Sequence, residues 1–198
     1  MENAQHQVAP VLPAIPRRER YGTLGGSAAV LLFVVLYVGF WLIWDGHASG
    51  KEEVPPGTAV AVSDSVSFVP AGGWSLERGE TTPGQRSTVT SGSSAFSVST
   101  STWMGTLDEQ TAREKKILRA AGGVHLYGND QSFRTGNGLT GVKFSYFTSG
   151  AEGILWIAYD PEAKAVVTLN GQSASGALPA AAGQFQEMVD SVRTGAGA

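Results

Sequence analysis

The chain has 198 residues, a net charge of −3 and no cysteine, which excludes disulfide staples, thiolate metal sites and cysteine catalysis. Residues 45–198 carry 11 Lys and Arg against 15 Asp and Glu, an acidic balance that argues against nucleic acid as a partner, because phosphate binding needs a basic surface. Charged residues are 16% of the chain, low for a soluble protein but ordinary for one small domain joined to an uncharged span.

Residues 1–20 read as a disordered cytoplasmic tail. Pro10, Pro13 and Pro16 recur every three residues, so they line one edge of a polyproline II helix, the form taken by ligands of proline-binding grooves. The plainer reading is a lead-in that ends in a basic cluster.

Residues 21–44 hold no charged side chain. Roughly 20 helical residues cross a hydrocarbon core of ~30 Å, so this stretch predicts one transmembrane helix. Arg17, Arg18 and Arg20 precede it, and Asp45, Glu52 and Glu53 follow. Positive charge stays cytoplasmic. The expected topology is a single-pass protein of the plasma membrane, with the N-terminus cytoplasmic and the domain extracytoplasmic. A cleaved signal peptide is the rival, but its apolar region runs only ~7–15 residues, and Gly46-His47-Ala48 is a poor cleavage site. The reading is an uncleaved signal anchor. Tyr21 at one edge and Trp41 and Trp44 at the other suit the two interfaces. Gly22 with Gly26, and Gly25 with Ala29, are spaced as in membrane helices that approach closely, which makes weak self-association one expectation and ordinary glycine content of a span the other.

Residues 45–57 form a polar, proline-bearing segment, expected as an extended linker. The domain is expected over residues 58–193. Thr58–Val62 and Val66–Val69 read as short strands around Ser63-Asp64, and Ser87–Thr90 as another. Ala95–Thr102 alternates, with Phe96, Val98 and Thr100 on one face and Ser97, Ser99 and Ser101 on the other. Thr106 with Glu109 is a capping box that starts a helix running to Ala121. Its arc holds Leu107, Thr111, Ile117, Leu118 and Ala121, with Glu114 in the middle.

Val124–Tyr127 and Ser132–Thr135 read as a hairpin around a Gly128-Asn129-Asp130 turn. Val142–Phe147 follows as a strand with Val142, Phe144 and Tyr146 on one face. Ile154–Tyr159 is apolar on both faces and reads as a central strand. Ala165–Leu169 returns and ends at Asn170-Gly171. Leu178–Arg193 is an amphipathic helix with Leu178, Ala181, Phe185, Met188, Val189 and Val192 in one arc. Phe185 is expected fully buried on the sheet. Residues 194–198 are expected as a frayed tail.

These elements give an α+β fold: one N-terminal transmembrane helix, and a small mostly antiparallel sheet with two amphipathic helices in an α/β/α sandwich. The stretches Phe68-Val-Pro70-Ala-Gly-Gly73-Trp74, Gly138-Leu-Thr-Gly141 and Glu187-Met-Val-Asp-Ser-Val-Arg193 resemble the PsbP-type α/β/α sandwich of small membrane-anchored envelope proteins. The likeness spans the domain. That family is functionally diverse and mostly non-enzymatic, so the resemblance implies no site residues.

Catalytic signals are sparse. Gly136-Asn-Gly138-Leu-Thr-Gly141 matches a dinucleotide fingerprint, but a strand rather than a helix follows, so it reads as a turn. Only His125 of the three histidines lies in the domain, too few ligands for zinc, and no nucleophile-elbow motif occurs. A serine paired with His125 would be the remote route to a hydrolase. Glu114 reads either as an acid with a perturbed pKa or as a side chain reaching water from the helix edge. Trp103, Tyr127, Phe133, Tyr146, Phe147 and Trp156 read first as core and second as the lining of an apolar cleft. The expectation is a non-enzymatic binding or adaptor domain, without cofactor or metal. Its partners are the bilayer and another envelope or membrane protein. A lipid-binding domain is the alternative.

Overall fold

The computed structural model describes residues 50–160 and 164–195. The expected tail, the 21–44 span with its flanking arginines, and residues 161–163 and 196–198 lie outside them. Among the described residues no helix is long and apolar enough to cross a membrane.

The elements run β1 (Lys51–Glu53), β2 (Val60–Ser63), β3 (Val66–Phe68), β4 (Ser75–Glu77), β5 (Arg86–Ser91), β6 (Ser94–Thr102), α1 (Leu107–Ala120), β7 (His125–Arg134), β8 (Thr140–Phe147), β9 (Ala151–Asp160), β10 (Ala165–Ala174), α2 (Leu178–Ser191) and β11 (Arg193–Thr194). One sheet of eight strands has the order β1-β4-β5-β6-β10-β9-β8-β7, and a second of three has the order β11-β3-β2. Neighbouring strands pair antiparallel, as in Val167 opposite Thr100 and Leu169 opposite Trp156. The mostly antiparallel α+β reading holds for the described residues.

The two helices take opposite faces of the large sheet. Helix α2 packs over β10 and β6, and the small sheet covers the same face beside it. Its buried side chains are Leu178, Ala181, Phe185, Met188 and Val189. Phe185 is fully buried, as the arc predicts. Its ring lies 5.9 Å from that of Phe96 and 5.8 Å from that of Trp74. Gln184 accepts a 3.1 Å hydrogen bond from Trp74 Nε1. Helix α1 covers β9 with β8 and β7, over a smaller cluster of Phe144, Leu155, Ile157 and Val166. The central strand β9 thus has apolar cover on both faces, which is why its sequence does not alternate.

Four expectations are corrected. Within the 45–57 linker, Lys51–Glu53 form β1 and pair with β4. Thr194, placed in the tail, pairs with Val66 in β11. Gly128-Asn129-Asp130 is no turn; β7 runs through it with a bulge between Tyr127 and Gln131, because a positive φ at Gly128 accommodates extra residues on one strand as readily as a reversal. Strand β10 continues past Asn170-Gly171 to Ala174. Gly171 is small because a Cβ there would stand 2.7 Å from the Phe185 ring, so this glycine serves close packing.

Candidate functional site

The anchors Tyr21, Trp41 and Trp44, the arginines Arg17, Arg18 and Arg20, and the small residues Gly22, Gly25, Gly26 and Ala29 all lie outside the described residues. The motifs inside the domain have definite places. Gly136–Gly141 joins β7 to β8 as a turn: Gly138 N–H donates to Thr135 O at 3.0 Å, and Thr135 N–H donates to Leu139 O at 2.8 Å. From this turn Asn137 Nδ2 donates to Asp190 O and Val192 O at the end of α2. The glycine-rich stretch therefore caps a helix C-terminus, where carbonyls lack partners.

Each helix covers part of one sheet face, and the remaining parts differ in chemistry. On the α1 face, β6 and β10 present Ser97, Ser99, Thr168 and Asn170, all half-buried, and Gln172, which is exposed. Tyr146 of β8 joins them, with its O–H donating to Asn170 Oδ1 at 2.8 Å. Burial raises the Tyr146 pKa and the Asn170 bond works against that, so the phenol stays neutral. Its ring is seated over Gly153, where a Cβ would lie 2.4 Å from Tyr146 Cζ. This area holds hydroxyls and amides.

On the α2 face, the outer strands β7 and β8 carry His125, Tyr127 and Phe147. The imidazole stacks on Phe147 at 5.0 Å between centroids, and Tyr127 lies 5.8 Å from the same ring. Tyr127 is 43% and Phe147 41% exposed. Alternation places all three on one side: His125 pairs with Phe147 and Tyr127 with Ser145. The reading of Tyr127 and Phe147 as core is corrected; the sequence shows their alternation but not that this end of the face lies beyond α2. Trp156 and Tyr146 are core, as expected.

Two depressions among the described residues are lined mainly by polar residue types. One of about 540 Å³ is lined by Ser63, Asp64, Gln85, Thr100 and Thr102 among others. A smaller one of about 360 Å³ adjoins it at Arg86 and Ser99. Neither has the hydrocarbon walls that a lipid cleft needs. Among the described residues no group of three or more His, Cys, Asp or Glu side chains could hold a metal ion. Glu114 lies on the sheet side of α1, half-buried, and its carboxylate accepts a 2.8 Å hydrogen bond from Gln110 Nε2. Ile117, expected in the buried arc, is 50% exposed.

No family model matches the chain, and no curated protein matches it. Among solved structures it is similar to the solution structure of cyanobacterial PsbP (CyanoP) from Synechocystis sp. PCC 6803, at 16% identity and a TM-score of 0.49, over 72% of this chain and 98% of that one. It is also similar to a protein from Bacteroides thetaiotaomicron VPI-5482, at 14% identity and a TM-score of 0.37, over 74% of this chain and 49% of that one. The chain thus spans about half the length of the second protein. The PsbP-type resemblance read from the sequence is a likeness of fold.

Proposed function

We propose that this chain is a single-pass, membrane-anchored adaptor whose extracytoplasmic domain binds another envelope or membrane protein. The observation that carries the reading is the exposed aromatic cluster of His125, Tyr127 and Phe147 at the β7 edge. Exposed aromatic rings that share one surface mark protein contact sites, because they bury much area at little cost in side-chain entropy. Anchorage in the plasma membrane rests on the uncharged 21–44 stretch and on Arg17, Arg18 and Arg20 before it. The chemistry of the surface favours adhesion over catalysis: His125 is engaged with Phe147, and the hydroxyl-rich area of β6 and β10 carries no charged side chain at Ser97, Ser99, Thr168 or Asn170.

The test is affinity purification of the full-length chain from membranes, beside the double variant Tyr127→Ala, Phe147→Ala. Both rings are partly covered, so the variant should melt somewhat below the wild type and still unfold cooperatively. The wild type should retain a partner that the variant loses. Retention of the same partner by the variant would remove the aromatic edge as the docking surface.

A further inference from the structure

Helix α1 is held to its sheet by an unusual stripe. The residues turned to the sheet are Leu107, Gln110, Thr111, Glu114 and Leu118, two apolar and three polar. Gln110 is 4% and Thr111 6% exposed. The Thr111 hydroxyl donates back to Leu107 O at 2.8 Å, and Gln110 donates to Glu114. Gln110 Oε1 is buried and finds no partner among the described residues. Beneath lie Phe144, Leu155, Ile157 and Val166, whose side chains offer no hydrogen bond, with Tyr159 packed against them. The helix therefore lays a carboxyl and an amide on hydrocarbon, an arrangement that costs free energy when the carboxyl is ionised.

Charged contacts add to the packing of Leu107 and Leu118 in holding α1 down. Lys115 Nζ meets Asp130 Oδ2 of the β7 bulge at 2.6 Å and sits 5.0 Å over the Phe144 ring. Arg113 lies 5.5 Å over Trp103. The helix leaves through Gly122 and Gly123, both at positive φ. Arg113, on the same helix, is the charge that acts on Glu114. Of the strands below, β7 brings Asp130, taken by Lys115, and Arg134 to this face, while β8 brings Tyr146 and β9 brings Tyr159. By alternation Lys143 of β8 and Glu152 and Asp160 of β9 stand on the other face, as does His125.

We propose that α1 is a hinged helix that docks on and lifts from the sheet as a unit, with the proton on Glu114 setting the balance. Burial raises the Glu114 pKa in the docked helix, and Arg113 opposes this in part. The docked state therefore holds the proton more tightly than the open one. Docking is fully favoured below the ordinary carboxylate range and weakens as pH rises through the raised value. Opening uncovers the hydrocarbon surface of Phe144, Leu155, Ile157 and Val166.

Hydrogen exchange on the full-length protein in detergent tests this, read over 107–120 and 178–191 at about pH 5 and about pH 8 and corrected for the intrinsic rate. At the higher pH, α1 should be less protected than α2. On acidification its protection should rise, by at most about 10-fold for each unit by which docking raises the Glu114 pKa, with α2 unchanged. Glu114→Gln keeps the shape and hydrogen-bonding capacity without the charge, so its α1 should be well protected at both pH values. The proposal is overturned if wild-type α1 gains no protection on acidification, if Glu114→Gln still gains it, or if Glu114→Gln is poorly protected throughout.

Discussion

Helices α1 and α2 are equally long, 14 residues each, and cover opposite faces of one sheet, yet they are attached by different physics. Helix α2 buries Leu178, Ala181, Phe185, Met188 and Val189, and is fastened at its end by Asn137. Helix α1 buries Gln110 and Thr111 and leaves Leu107 and Leu118 only half-covered. The first has a hydrophobic seal and the second has a polar underside held by those two leucines and by ties at its margin. Amphipathic patterning alone therefore does not measure how firmly a helix is docked.

The largest test of that contrast is Phe185→Ala. Removing a ring that is fully buried among Phe96, Trp74 and Gly171 should cost ~3–5 kcal/mol, a large share of a domain total of ~5–15 kcal/mol. Leu118→Ala on α1 should cost about 1 kcal/mol, because a half-buried leucine forfeits only part of its transfer energy. Chemical denaturation of both variants compares them, and equal losses would break the contrast. A second test adds atoms instead of removing them. Gly171→Ala drives a methyl to within 2.7 Å of the Phe185 ring, so it should destabilise by ~1–3 kcal/mol, and a neutral result would mean that α2 slides on the sheet. A further small effect also belongs to α1. Thr106 Oγ1 accepts from Glu109 N–H while the Glu109 carboxylate accepts from Thr106 N–H. Thr106→Ala breaks this box and should cost about 1 kcal/mol, read as a faster exchange of the first turn of α1.

The firmly docked elements were legible in the sequence, as were the bounds and capping box of α1, but not which residues of α1 meet the sheet. The α2 arc and the two-sided apolar run of β9 follow from periodicity, because burial there is complete and every position obeys it. Ile117 fits an ideal wheel as well as Leu118 does, but the stripe that meets the sheet is centred on Thr111 and Glu114, which hydropathy alone does not favour. Turn-forming residues misled at Gly128 and Gly171, where glycine serves a bulge and a ring rather than a reversal. Strands β1 and β11 are short and exposed, and their pairing is a tertiary fact without local pattern. The aromatic cluster at β7 had the same limit. Alternation relates His125 and Tyr127, but only the register with β8 brings Phe147 beside them, and only the position of α2 leaves this end of the face exposed.

Strand β1 has a mechanical meaning. Three exposed residues join it to β4, and the ion pair of Glu52 with Arg78 is itself exposed, so it adds little. Tension drawn through the N-terminal side of the domain would part this ladder before any core side chain moved. The chain from Gly50 to Ala59 would then pay out as slack, about 33 Å at roughly 3.3 Å per residue. Released in this way, β1 would lengthen the lead into the domain without uncovering its core.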